Sequence, residues 1–187
     1  QDEQADAESL EELSKGLDII KRRSIHLTDF VSTYRKLAEL PLPVKSSTDL
    51  VLLIQNTLVL FKDEFKKRGI NVQFEGPSAL LLKIDPNQIE QVCINIISNS
   101  LYALNSAEKP KISITINQNN NRIHVVFSDN GVGVSDDIKD NLFVPYFTTR
   151  KEGSGIGLTL SKNIMEAHQG SISFTKKENQ TNFMLIF

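Results

Sequence analysis

The sequence predicts an α+β domain, a two-layer sandwich in which helices cover one face of a mostly antiparallel, mixed sheet. A long helix of different character precedes it. Two observations predict the sandwich and a third predicts the helix. From residue 70 onward, strand-like alternation comes in pairs separated by helical stretches, whereas a doubly wound fold would alternate single strands with helices. The 187 residues are 40% hydrophobic, enough to bury the core of one ordinary domain plus an extra element. The first forty residues instead carry apolar or small side chains at three-four spacing: Leu13, Leu17, Ile20, Ser24, Leu27, Val31, Tyr34 and Ala38.

That seam is widened by Phe30 and Leu37, which suits a helix packed on several neighbours better than a two-stranded zipper. A helix cannot bury such a face by itself, so a second helix or a second chain is implied, with a four-helix bundle built by a dimer as its natural home. Pro41-Leu42-Pro43 ends it, and residues 41–48 read as a hinge or linker. Next, 50–68 is an apolar helix with a basic last turn before Gly69. Strands are expected at 70–75 and 79–84, with Gly76-Pro77 turning between them. A second helix opens with Asp85 as cap, Pro86 in its first position and Gln88 three residues after the cap, and runs to about Ser106. The β-branched stretches 111–117 and 122–128 form a hairpin around an Asn-rich turn. Beyond a glycine-broken stretch, a helix at 157–168 ends near Gly170, and strands at 171–176 and 181–187 close the chain. The domain division expected is 1–43, part of a dimerisation helix with its linker, and 44–187, the globular domain.

Composition narrows the function. With 21 basic and 23 acidic side chains, the chain lacks the basic excess of a nucleic-acid binder. No apolar run approaches the ~20 residues needed to cross a bilayer, and the acidic start is unlike a signal peptide. A single cysteine, Cys93, allows neither an internal disulfide nor a cysteine metal cluster, and three scattered histidines do not make a metal site. A reducing, cytoplasmic location is expected, either for the whole protein or for the cytoplasmic part of a membrane-anchored parent. Any metal should arrive with a substrate.

Four signals carry chemistry. Asn95 and Asn99 lie at i and i+4 on the second helix, with Tyr102 one turn on. They read either as helix-surface amides or as oxygen ligands for a hard cation such as Mg²⁺. Asp129-Asn130-Gly131-Val132-Gly133 follows a strand, as a plain turn or as a carboxylate placed to accept from a buried donor. Leu142 to Arg150 is an aromatic patch ending in Thr148, Thr149 and Arg150; Phe143 and Phe147 fit core staples or a mobile lid hinge, with Arg150 near phosphate. Gly153-Ser154-Gly155-Ile156-Gly157-Leu158 opens a helix and exposes successive N–H groups to an anion, unless it is simply a flexible loop. A charged loop, not a strand, precedes it, which disfavours a dinucleotide fold.

Taken in order, these segments resemble the N, G1, F and G2 boxes of the sensor histidine kinase ATP-binding domain, part of the superfamily shared with gyrase, Hsp90 and MutL. The similarity covers about 49–187. Arg23-Ser24-x-His26-Leu27, Tyr34-Arg35-x-Leu37 and Pro41 are similar to the second dimerisation helix of nitrogen-regulation-type sensor kinases. The resemblance implies a Bergerat-type ATP-binding fold using ATP and Mg²⁺. In it, Asp129 receives the adenine amino group, Gly131 and Gly133 shape the base pocket, and Asn99 holds Mg²⁺ with Asn95 nearby. Gly155 and Gly157 present backbone donors to the phosphates, and Thr149 and Arg150 stand at the lid. Tyr102, Phe147, Thr148, Gly153, Ser154, Ile156 and Leu158 complete the nucleotide-binding set, with Asn95, Asn99 and Arg150 as the catalytic group. Hydrolytic members of the superfamily carry Glu where this chain has Asn95, and an amide cannot activate water as that base. Transfer of the γ-phosphoryl to a histidine, for relay to a response-regulator receiver domain, is therefore favoured over hydrolysis.

None of the three histidines matches the acceptor pattern of that family. His26 is followed by Leu27-Thr28-Asp29, His124 lies on a strand, and His168 ends a helix, so the acceptor is expected upstream of this chain. The alternatives are an ATPase or serine protein kinase of the same superfamily, and a degenerate nucleotide-sensing module acting through its dimerising helix.

Overall fold

In the computed structural model, the residues described are 13, 16–25, 27, 28, 31, 35, 40–119, 122–150, 153–177 and 180–187. The chain divides into two units, Gln1–Leu40 and Pro41–Phe187. In the first, the described residues between 13 and 35 are helical. Leu13, Leu17, Ile20, Leu27 and Val31 of the expected seam are all more than half exposed, so none of them is covered by another of the described residues. His26, Phe30, Tyr34, Leu37 and Ala38 lie outside the described residues.

The second unit runs β1 (Ser46–Asp49), α1 (Leu50–Leu60), α2 (Lys62–Lys67), β2 (Asn71–Glu75), β3 (Leu81–Ile84), α3 (Pro86–Ala103), β4 (Lys111–Asn119), β5 (Arg122–Asp129), α4 (Gly157–Ala167), β6 (Ser171–Lys177) and β7 (Gln180–Ile186). Short 3-10 turns lie at Leu104–Ser106 and Lys139–Asn141. The main sheet has five strands in the order β2-β4-β5-β7-β6, with β2 and β4 parallel and the other pairs antiparallel. Helices cover one face, as expected. Ile112, Ile114 and Ile116 on β4 and Val125 and Phe127 on β5 are buried beneath them, while Ser113, Thr115, His124 and Val126 alternate onto the other face.

α3 is the central helix because its apolar residues repeat at helical spacing. Ile89, Val92, Cys93, Ile96 and Ile97 have no exposed surface. Each such side chain contributes about 1.5–3 kcal/mol of burial free energy. Asp85 caps the helix, its Oδ1 accepting from Asn87 N at 3.0 Å and Gln88 N at 3.2 Å, and Pro86 occupies the first turn.

Four expectations need correction. The stretch 41–48 is not wholly linker, because Ser46–Asp49 forms β1 on β3. The strands flanking Gly76-Pro77 do not pair with each other: β2 joins β4 in the main sheet and β3 joins β1 in a separate small one. A turn between two alternating stretches does not say which strand each will find. The helix expected over 50–68 breaks at Phe61, whose N–H donates to Leu58 O at 3.1 Å, and Phe65 of the following helix is buried. Finally, Gln88 does not reach back to the Asp85 N–H as a capping-box partner would. That N–H donates to His168 Nε2 at 3.0 Å, and Gln88 Nε2 donates to Pro41 O at 2.9 Å.

Candidate functional site

The polar stripe of α3 meets the start of α4. Asn95 Nδ2 donates to Gly157 O at 2.9 Å and to Ser161 Oγ at 3.1 Å, and its Oδ1 accepts from Gln91 Nε2 at 3.0 Å. The side chain is therefore a clamp between two helices, with both ends of its amide engaged. One turn on, Asn99 Oδ1 accepts from Arg150 Nη2 at 2.5 Å, and the same guanidinium lies 4.3 Å from the centre of the Tyr102 ring. Burial lowers the Arg150 pKa, with the neighbouring Tyr102 acting in the opposite direction.

β5 ends at Asp129, a carboxylate only 3% exposed. Its Oδ2 accepts from Ser100 Oγ at 2.9 Å and its Oδ1 from Gly131 N at 3.0 Å. Burial raises its pKa, while the Gly131 N–H and the Ser100 hydroxyl lower it. Gly131 passes so close to α3 that a Cβ there would stand 2.5 Å from Ala103 O, and Val132 N donates to that same oxygen at 3.0 Å. Only a glycine lets the strand end press against the helix in this way. In the sheet register Thr181 lies opposite Asp129, and its buried Oγ1 has no hydrogen-bond partner among the described residues.

Between β5 and α4 the chain is irregular. The aromatic patch forms turns and not a helix, so Phe143 and Phe147 are not a helical staple. Thr159 Oγ1 on α4 donates to Phe143 O at 3.1 Å, and Tyr146 N donates to Gly155 O at 3.0 Å. Gly155 sits at φ 67° with its missing Cβ only 2.5 Å from the Tyr146 carbonyl carbon, a backbone-on-backbone contact any side chain would break. Tyr146 itself takes φ 66°, uncommon for a bulky residue. The N-cap residue of α4, Ile156, makes no side-chain cap, so among the described residues no side chain caps the first N–H groups at the glycine-rich segment.

These parts enclose two cavities that share Asn99, Leu142, Phe147, Thr148, Arg150 and Leu158. One, of about 230 Å³, is lined additionally by Asn95, Gly153, Ser154, Gly155 and Gly157. The other, of about 170 Å³, reaches Asp129, Tyr102, Gly133, Thr149 and Thr181. Nearly all the residues expected from sequence are thus brought together. Ile156 is one of two exceptions: it is fully buried and lines neither cavity. Gly131 also lines neither and acts through its close approach to α3. Sequence reasoning missed Ser100, Thr181 and Phe183. Ser100 had a local signal, a hydroxyl next to Asn99 on an otherwise apolar helix; Thr181 and Phe183 enter through strand pairing, which no local pattern announces.

Comparison with known proteins agrees with this geometry. The family described as histidine kinase-, DNA gyrase B- and HSP90-like ATPase matches residues 84–187, more than half of the chain. The chain belongs to this family. Among curated proteins, it is 32% identical over 135 residues to sensor histidine kinase ZraS of Escherichia coli (strain K12), covering 72% of this chain and 29% of that protein. It is 33% identical over 144 residues to sporulation kinase B of Bacillus subtilis (strain 168), covering 77% of this chain and 33% of that one. The chain thus spans about a third of the length of these relatives. The solved catalytic domain of histidine kinase ThkA, in a nucleotide-free form, superimposes with a TM-score of 0.70 at 30% identity, covering 76% of this chain and 94% of that one. ThkA in complex with response regulator protein TrrA gives 0.75 at 26% identity, covering 94% of this chain and 51% of that one. The globular unit of this histidine-kinase-type chain is accordingly an ATP-binding catalytic domain. Among the described residues, no helix is long and apolar enough to cross a membrane, and no group of three or more His, Cys, Asp or Glu is placed to hold a metal ion by itself.

Proposed function

We propose that this chain binds Mg-ATP across the two joined cavities and passes the γ-phosphoryl to a histidine on a dimerisation helix outside these 187 residues, for relay to a response-regulator receiver domain. The observation that carries this reading is the junction of the cavities. The buried acceptor Asp129 stands in one, the amide oxygen of Asn99 and the uncapped start of α4 face the other, and Arg150 lies between them. Asp129, fixed by Ser100 and Gly131, receives the adenine amino group, and Thr181 offers a second polar atom beside it. Gly155 and Gly157 bring backbone N–H groups to the phosphates, with Thr148, Thr149 and Arg150 closing over them.

Asn99 fits a magnesium ligand, since its oxygen is hard, faces the polar cavity and already accepts from a cation. Bound beside the phosphates, a magnesium ion would supply charge neutralisation, and Asn99 is the residue that would hold it. Asn95 acts by holding α3 and α4 together, so its catalytic contribution is positional. No Asp, Glu or His is among the described residues lining the polar cavity, which supports transfer over hydrolysis, because none of those described residues can activate water as a base.

Residues 1–43 are read as part of the dimerisation helix and its linker, and 44–187 as the ATP-binding domain. The exposed seam from Leu13 to Val31 supports homodimerisation of the parent protein. The test is incubation of the parent with γ-labelled ATP. Acid-labile, alkali-stable protein label is expected, lost when Asn99 is replaced by Ala. Steady phosphate release without labelled protein would overturn the transfer reading in favour of an ATPase.

A further inference from the structure

α3 and α4 lie antiparallel and are joined at two points. At one, Asn95 of α3 holds the start of α4 through Gly157 and Ser161. At the other, the start of α3 meets the end of α4: Asp85 N donates to His168 Nε2 at 3.0 Å, and His168 Nδ1 lies 2.8 Å from Ile164 O. A ring nitrogen that accepts from a backbone N–H carries no proton, and a carbonyl oxygen only accepts. The ring is therefore neutral, with its proton on Nδ1 donated to Ile164.

The same junction holds the start of the globular unit. Asp85 Oδ2 accepts from Val44 N at 2.8 Å, and Gln88 Nε2 donates to Pro41 O at 2.9 Å. One buried aspartate thus gathers the entering chain, the first turn of α3 and the last turn of α4. The other end of each helix carries the nucleotide site.

We propose that His168 is a positioning residue that latches the entering segment Pro41–Val44 to the α3/α4 pair, so that the state of this segment sets the affinity of the nucleotide site. This inference rests on the Mg-ATP reading of that site. A pull on the segment acts on Asp85, shifts α4 against α3, and changes how the glycine-rich start of α4 faces Asn99.

The test uses the 187-residue chain, with Mg-ATP affinity measured by calorimetry at a temperature where each variant is fully folded. His168→Leu keeps the bulk and removes both ring nitrogens; Val44→Pro removes the N–H given to Asp85 at a side chain that is largely exposed. Each is expected to weaken Mg-ATP by about fivefold. His168→Gln, whose amide oxygen can take the place of Nε2, should return affinity to within about twofold of the original. Nitrogen NMR of the original chain should show His168 protonated on Nδ1 and bare on Nε2. A proton on Nε2 overturns the latch. Lower melting temperature with unchanged affinity in both His168→Leu and Val44→Pro reduces the junction to a structural contact and also overturns it. If His168→Leu does not fold, Val44→Pro decides alone. An original chain that binds no Mg-ATP fails the nucleotide reading and the coupling with it, whereas binding that neither variant alters fails the coupling alone.

Discussion

Arg150 donates its guanidinium to the side-chain oxygen of Asn99, so the lid's own cation occupies the atom proposed to hold magnesium. Stacking on Tyr102 steadies it there. A metal held by Asn99 would meet the guanidinium at the same oxygen, so the two cations would compete there. Arg150→Ala is expected to weaken ATP by about tenfold in EDTA, where the guanidinium is the remaining cation, and by less in Mg²⁺. Calorimetric titration under both conditions checks this; equal losses would separate Arg150 from the metal position.

Asp129 sets stability against binding. Burial raises its pKa, so the native chain holds this proton more tightly than the unfolded chain does. The favourable contribution is complete below the ordinary carboxyl range and is lost as pH rises through the raised value, leaving a buried charge that opposes folding at neutral pH. Asp129→Asn should therefore melt at or above the original temperature at pH 7, with the difference closing as pH falls. Its ATP affinity should drop by at least about tenfold. A variant that melts lower at pH 7, or that keeps tight binding, contradicts the assignment.

Asn95→Asp keeps the size of the side chain and removes both donated bonds, setting a carboxylate against Gly157 O. A loss of about 1–3 kcal/mol in urea unfolding is expected, without any rise in phosphate release. A gain in ATPase activity would mean the position acts on water and not as a clamp.

Cys93 sits fully buried on α3, where desolvation, helped by the charge of Glu90, pushes its thiol up to about 12. The folded chain should resist thiol reagents at pH 8, and labelling should follow unfolding as denaturant is added. Rapid labelling under native conditions would show that α3 opens locally, and with it the site.

Much of this molecule was legible from sequence because its signals are local. The Asp85 cap with Pro86 in the first turn marked the start of α3, and alternation determined β4 and β5. The order of the four motifs, with Asp129 closing β5 and Gly157 opening α4, determined the family and picked out many of the residues that line the two cavities. Tertiary structure alone decided which groups meet. Local alternation made 70–75 and 79–84 look like partners, yet β2 lies parallel to β4 and β3 pairs with β1, because strand pairing is settled by distant chain. The Asp85 N–H goes to His168 and not to the expected Gln88, across 83 residues of sequence. Thr181 comes opposite Asp129 only through the register of β7 on β5, and Arg150 meets Asn99 only through a contact across 51 residues of sequence. Periodicity reports which face of an element is buried; it carries no record of the polar partner that a distant segment will bring to that face.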